Sequence, residues 1–237
     1  MGVTWLPMRY GGILLAFIAG SVDTFSFLSL SGLFAAHVTG NFVLLGATLV
    51  LGHPAGVWSK VLAVPLFAAG VWAASIGSAA LQRRHRALLP WLLGAEFVLL
   101  LAACGVAMAR GPFDNADSPS ALLLGLLLIL AMGTQAALGQ LAAPKEPATT
   151  VMTTTLTRLV VDLSVLVSRA LRSEAEAERT RRSTVRLGEQ CAAFLVGCAI
   201  SAGGHVLIGL WSLALPTIAI ALLLVASMRH DLSTGGQ

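Results

Sequence analysis

The chain has 237 residues, 57% of them hydrophobic and 11% charged, with a formal net charge of +4. A soluble domain carries about 25% charged residues, so this composition, with a mean hydropathy of +0.85, describes an integral membrane protein with no room for a separate soluble domain. The basic residues sit in loops between apolar runs, which argues against a nucleic-acid surface and makes them topology signals.

The runs are long and mostly uncharged, so helices are expected rather than barrel strands, which alternate over about 10 residues. Eight can be drawn, at 10–30, 38–51, 61–81, 91–108, 121–141, 151–167, 188–207 and 211–228. The first is too long for a cleavable signal peptide and is interrupted by Asp23. An acid inside a membrane is expensive and is a functional candidate by default. It could take a proton, bind a cation or hold Arg158; the structural alternative is an ion pair or a carboxylate capped by backbone N–H groups.

The string FAAHVTGN at 34–41 breaks the first apolar stretch, and the second run stops after 14 residues at Gly52, His53 and Pro54. A spanning helix needs roughly 20. Thr39-Gly40-Asn41 opens this short run with small polar groups and a glycine that permits close approach. A helix start near the bilayer midplane would present free N–H groups to an anion or a carbonyl; at the surface, Thr39 would be a simple N-cap. His37, just before it, is either an interfacial histidine or a gate.

Glu96 lies in the fourth run, where it is expected to be neutral or hydrogen-bonded to a neighbouring helix, with proton coupling as the functional alternative. Gln135 and Gln140, both in the fifth, could bond across to a partial helix. PKEPATTVMTTT at 144–155 breaks the next stretch. The sixth run opens on Thr153, Thr154 and Thr155 and carries Arg158 and Asp162, too polar for a lipid-facing helix. The threonines could form a second site at a helix start or satisfy local carbonyls, and Arg158 and Asp162, four apart, can pair. The segment 171–186 is the one strongly charged stretch, read as a solvated helical extension or a loop. Cys104, Cys191 and Cys198 lie in apolar segments as packing residues; no metal site, cofactor or disulfide is expected.

Basic residues choose the topology. If the second and sixth runs re-enter without crossing, Arg9, Arg83, Arg84, Arg86, Lys145, Arg229 and the six arginines of 169–186 share the cytoplasmic side, and only Lys60 and Arg110 lie outside. If all eight cross, the basic loops split ten against four. The expected fold is therefore all-α and polytopic, one transmembrane domain over 1–237. It has six full spans, two partial helices and both termini on the cytoplasmic side. Three spans and one partial helix per half make an inverted repeat, 9–110 against 119–230, in which Gly20 precedes Thr39 by 19 residues and Gly133 precedes Thr153 by 20.

The string AFIAGSVDTFSFLSLSGLFAAHVTGN resembles the YoaK family, an uncharacterised bacterial family of six-helix membrane proteins. The matching residues are Ala19-Gly20, Asp23, Phe27-Leu28, Phe34, His37 and Thr39-Gly40-Asn41, then Gly133, Gln135 and 153–156, over nearly the whole chain. Family members often carry Asn where Ala136 stands here and glycine in place of Thr154. The resemblance implies the fold and names no substrate.

Two interrupted segments in corresponding halves point to a transport site. The expected function is a small-solute secondary transporter or permease, not an enzyme, with an anionic or carbonyl-bearing solute. Asp23, Thr39, Gly40, Asn41, Gln135, Thr153, Thr154 and Thr155 would bind the solute, with His37, Glu96, Arg158 and Asp162 as gate or charge network. Membrane lipids and a second copy of the chain are the expected partners. A membrane scaffold using 171–186, or an enzyme acting on lipid, are the alternatives; no GxSxG elbow, His cluster or phosphate loop supports the enzyme.

Overall fold

The computed structural model describes residues 8–51, 55–84, 87–142, 152–168 and 173–234. Arg86, Lys145, Arg169, Arg172 and most of the second break, 143–151, lie outside the described residues. The described residues form α1 (Met8–Ser29), α2 (Gly40–Leu51), α3 (Val57–Arg83), α4 (Leu88–Arg110), α5 (Pro119–Ala142), α6 (Met152–Ser168), α7 (Glu174–Ile208) and α8 (Ala214–Thr234). A 3-10 turn, Gly209–Leu213, joins α7 to α8, and no strand occurs among the described residues.

Five stretches are long and apolar enough to cross a membrane: Tyr10–Ser29, Val57–Arg83, Leu88–Arg110, Pro119–Leu141 and Glu174–Arg229, the last holding both α7 and α8. α2 has 12 residues and α6 has 17, or about 18 and 26 Å at 1.5 Å per residue. Both fall short of a hydrocarbon core of about 30 Å. The chain is a multi-pass helical membrane protein.

Local chemistry sets the helix ends. Gly56 turns the chain at φ 65°, and the Asp117 carboxylate accepts the Val57 and Trp58 N–H groups at 3.1 Å each. This external cap fixes the start of α3 beside the start of α5. Ser173 caps α7 by accepting the Glu176 N–H at 3.2 Å, with Glu174 and Glu176 in the first turn, where the helix dipole favours acids. The charged segment read from sequence as extension or loop is thus helix from Glu174 onward. α7 has 35 residues, about 52 Å, so its first turns project beyond an apolar core and carry the exposed Glu178–Arg182 pair.

Paired contacts give each helix a direction. Gly12 meets Gln190, Gly20 meets Phe194, and Phe25 meets His205, so α1 and α7 run parallel. α3 and α5 start together at Asp117 and meet again at Gly70 and Gly133, so they too are parallel. Gly125 faces Leu30 and Leu33, while Gln135 donates to the Leu15 carbonyl at 3.0 Å, so α5 opposes α1. α2 therefore leaves the end of α1 and returns to the start of α3 at one end of the bundle. Lys60 Nζ ties both points, donating to Ser31 O and Ala55 O at 2.8 Å each.

Two glycine crossings hold the bundle. A Cβ on Gly20 would lie 2.3 Å from Phe194 O, and one on Gly197 would lie 2.2 Å from Phe17 O. At the other crossing, a Cβ on Gly70 would lie 3.0 Å from Leu130 O, and one on Gly133 2.7 Å from Phe67 O. In each case a glycine faces the carbonyl three residues before the opposing glycine. Backbones this close leave no space for a side chain, the arrangement that small residues permit between membrane helices. Ser201 and Ser21 tighten the first crossing, with Ser201 Oγ donating to Ser21 O at 2.8 Å and Ser21 Oγ to Gly197 O at 3.2 Å.

Gly197→Val and Gly133→Val are expected to lower stability by about 1–3 kcal/mol or to prevent folding. Gly46→Ala and Gly105→Ala, where a Cβ meets nothing within 4 Å, should stay within about 0.5 kcal/mol of the parent. Thermal unfolding in detergent checks this; equal melting of all four variants would refute the close-crossing account.

Candidate functional site

The chain leaves α1 through Ser31 at φ 49° and Gly32 at φ 84° and folds back along the helix. Ser26 Oγ, inside α1, donates to Leu33 O at 2.8 Å. Further back, Asp23 Oδ1 accepts the Ala36 N–H at 2.6 Å, and its Oδ2 accepts the His37 N–H at 3.2 Å and pairs with His37 Nδ1. Asp23 lies six residues before Ser29, about 9 Å along the axis. The fold-back therefore carries Ala36 and His37 well inside the bundle before α2 begins.

Asn41 closes the loop. Its Oδ1 accepts the Phe34 N–H at 2.9 Å and its Nδ2 donates to Phe34 O at 2.8 Å. The side chain is fully buried, and a Cβ on Gly40 would press the Phe34 ring at 3.1 Å. The first N–H groups of α2 are also used. Gly40, Asn41 and Phe42 donate to the carbonyls of His37, Val38 and Thr39 in one tight turn. The free N–H groups expected at this helix start are thus satisfied within the loop, which weakens the case for an anion there.

What remains accessible is the imidazole. The His37 side chain keeps 30% of its exposure against 5% for Asp23, and its ring meets Phe194 of α7 edge-on at 5.3 Å. A partly exposed histidine paired with a buried carboxylate, which also holds two backbone N–H groups, ties one ring to the placement of a whole loop. Among the described residues no group of three or more His, Cys, Asp or Glu could hold a metal ion.

Residues 11–226 match the family described as "Protein of unknown function (DUF1275)". The chain belongs to the DUF1275 family. It is 31% identical over 153 residues to the UPF0700 transmembrane protein YoaK of Bacillus subtilis (strain 168), a match covering 64% of this chain and 65% of that protein. The chain thus spans just under two thirds of that relative's length. No solved structure matches. The DUF1275 match takes in both crossings and the whole fold-back.

Within this DUF1275 chain the structure brings together only part of the predicted set. Asp23, His37, Gly40 and Asn41 share the fold-back, with Thr39 exposed on its rim. Gln135 is fully buried on α5, and its Nε2 donates to the α1 backbone at Leu15 O. On α6, which packs on α7, Thr155 is buried, Thr153, Thr154 and Arg158 are exposed and Asp162 is half-buried. No ion pair joins Arg158 to Asp162 or to Asp23 among the described residues. Glu96 is fully buried on α4, with no hydrogen-bond partner for either oxygen among the described residues. α4 packs on α3, α5 and α8, away from the fold-back.

Sequence reasoning missed Lys60 and Asp117. Lys60 is 2% exposed and its ammonium adds a third carbonyl, Gly56 O at 3.2 Å. Its signal was a lone lysine just before an apolar run, next to a Gly-containing turn.

Asn41→Ala strips both Phe34 groups of partners and is expected to destabilise by about 1–3 kcal/mol. Asp23→Ala, which leaves two N–H groups and an imidazole unpaired, should cost about 3–5 kcal/mol. Thr39→Ala should be neutral within about 0.5 kcal/mol. The order is read from melting temperatures in detergent, and a Thr39 variant as damaged as the Asn41 variant contradicts it.

Proposed function

We propose that this DUF1275 protein is a small-solute permease of the bacterial cytoplasmic membrane, built as an inverted repeat with six crossings and two re-entrant half-helices. The observation that carries the reading is the fold-back on Asp23, which starts α2 inside the bundle and returns it to the side it left. Non-helical backbone at membrane depth is tolerated where it is buried in protein or lines a cavity, and broken helices of this kind form transporter sites.

The packing supports the repeat. Matching α1 with α5, α2 with α6, α3 with α7 and α4 with α8 turns the α1–α7 crossing into the α5–α3 crossing, glycine for glycine. It also turns the α2–α3 contact into the α6–α7 contact, and α1–α8 into α5–α4. Depth supports it too. Leu159 of α6 faces Gly188 of α7. If the two helices were parallel, Ser168 and Glu174 would lie about 35 Å apart along the axis, beyond the roughly 21 Å that six extended residues reach. α6 therefore runs against α7, and its first turn falls near the level of Phe194, the residue that His37 touches. Both half-helices then begin at one depth.

In this reading His37 and Thr39 meet the solute and Asp23 holds the gate. With the first N–H groups of α2 already satisfied, the solute class is best described as small and polar. The exposed charged turns of α7 carry the alternative, a docking point for a scaffold partner.

Two measurements test the proposal. In a cysteine-free background, single cysteines at 31 and 55, which flank α2, should react with an impermeant maleimide from the outside of intact cells, and one at 84 only after lysis. Labelling at 31 and 55 from opposite sides would make α2 a full crossing and end the reading. Proteoliposomes offered labelled phosphate, sulfate, glycine and urea should take up at least one faster than empty vesicles, with a tenfold or greater loss in His37→Ala. Uptake of all four indistinguishable from empty vesicles would count against a permease of this solute range.

A further inference from the structure

α3 and α4 are joined by only four residues, 84–87, yet they touch little and leave a crevice backed by α5 and α8. Its volume is about 900 Å³, at the upper end of small-molecule sites. The lining is almost entirely apolar, with Leu99, Val98 and Leu130 among its walls. Its hydroxyl, from Thr134, already donates to Leu130 O at 2.9 Å. The slot asks for hydrocarbon and offers nothing to a polar solute. Gly77 and Gly94 face each other across it from α3 and α4, and a Cβ on either would meet nothing within 4 Å.

One end of the slot is edged by Leu81, Trp91 and Met228. Arg83 and Arg84 follow Leu81 within one turn, and Arg229 follows Met228; all three are exposed. α4 also begins at this end, and its N-cap, Ala87, supplies no side-chain bond to the first N–H groups. An uncapped helix N-terminus and three guanidinium groups make the rim anion-seeking, while the slot behind it is oily. Basic pockets between membrane helices on the cytoplasmic side suit anionic lipid headgroups.

We infer that the α3–α4 crevice is a specific binding site for an anionic phospholipid. The headgroup phosphate sits against Arg83, Arg84, Arg229 and the start of α4, and an acyl chain lies between Gly77 and Gly94. Charge complementarity selects this occupant over a neutral lipid or a soluble anion, because only an anionic amphiphile matches both rim and slot. The site is separate from the fold-back, so it stands or falls independently of the transport reading.

The test uses the full-length protein, delipidated in mild detergent and titrated with phosphatidylglycerol or phosphatidylcholine. Bound lipid is counted by native mass spectrometry, with thermal melting in parallel. The wild type should retain one phosphatidylglycerol at least tenfold more tightly than phosphatidylcholine. Arg83→Gln/Arg84→Gln/Arg229→Gln should lose that preference. Gly77→Leu/Gly94→Leu, which fills the slot at two open positions, should lose the tight lipid while keeping the melting temperature of the lipid-free protein. Equal retention of the two lipids by the wild type would overturn the proposal. So would an unchanged phosphatidylglycerol preference in the filled-slot variant, or equal retention of inorganic phosphate at that rim. If the leucine pair proves unfolded, Gly77→Ala/Gly94→Ala carries the same comparison, with a smaller loss expected and no loss overturning.

Discussion

A chain that leaves a helix inside a membrane exposes N–H and C=O groups where no water can meet them, and each unmet group costs several kcal/mol. Asp23 resolves this for the first half. Its carboxylate takes two backbone N–H groups and one imidazole from the returning loop. Asn41 takes the N–H and carbonyl of Phe34, and Lys60 takes three carbonyls at the loop's outer ends. An acid, an amide and an amine thus replace the hydrogen bonds that a continuous helix would have made for itself. Without that set the fold-back has no stable place in the bundle, and α2 has no reason to begin where it does.

The same set explains which parts of the fold were legible in sequence. Helix number and position followed from apolar run lengths, and the short second run was visible because Gly52, His53 and Pro54 end it. Asp23, His37 and Asn41 stood out as polar residues in an apolar setting. Their roles did not, because partners 13 or 14 residues apart meet only through a reversal that Ser31 and Gly32 create at positive φ. Asn41 was read as a solute ligand from its chemistry; in the fold its amide accepts the Phe34 N–H and donates to the Phe34 carbonyl. Hydropathy started the seventh apolar run at 188 and left 171–186 as helical extension or loop, whereas capping by Ser173 begins α7 at Glu174. Hydropathy measures burial, and a helix can outrun it.

The pairing of the crossing glycines was not legible in the sequence. Gly20 and Gly133 entered the sequence comparison of the two halves as markers of spacing, while their partners Gly197 and Gly70 looked like any other small residue in a span. The structure gives them a common geometry: each sits on a carbonyl three residues before its opposite number. Such a contact cannot be shared with a side chain of any size, so these four positions fix where α1 meets α7 and where α3 meets α5.

Aligning the crossings also shows where the halves part company. The offset that carries Gly20 to Gly133 and Phe17 to Leu130 carries Asp23 to Ala136 and Val22 to Gln135. The second half therefore has no acid at the position from which the first half holds its loop. Gln135, one residue earlier, reaches the α1 backbone instead. α6 accordingly rests on α7 as an amphipathic helix, with Thr155 inward and Arg158 outward, and is not drawn back by a buried carboxylate as α2 is. On the proposed repeat, architecture is duplicated and chemistry is not. One half-helix is latched through a partly exposed histidine on a buried carboxylate, and its counterpart opens on threonines, of which Thr155 faces inward. On the permease proposal, that asymmetry makes the Asp23–His37 pair the gate.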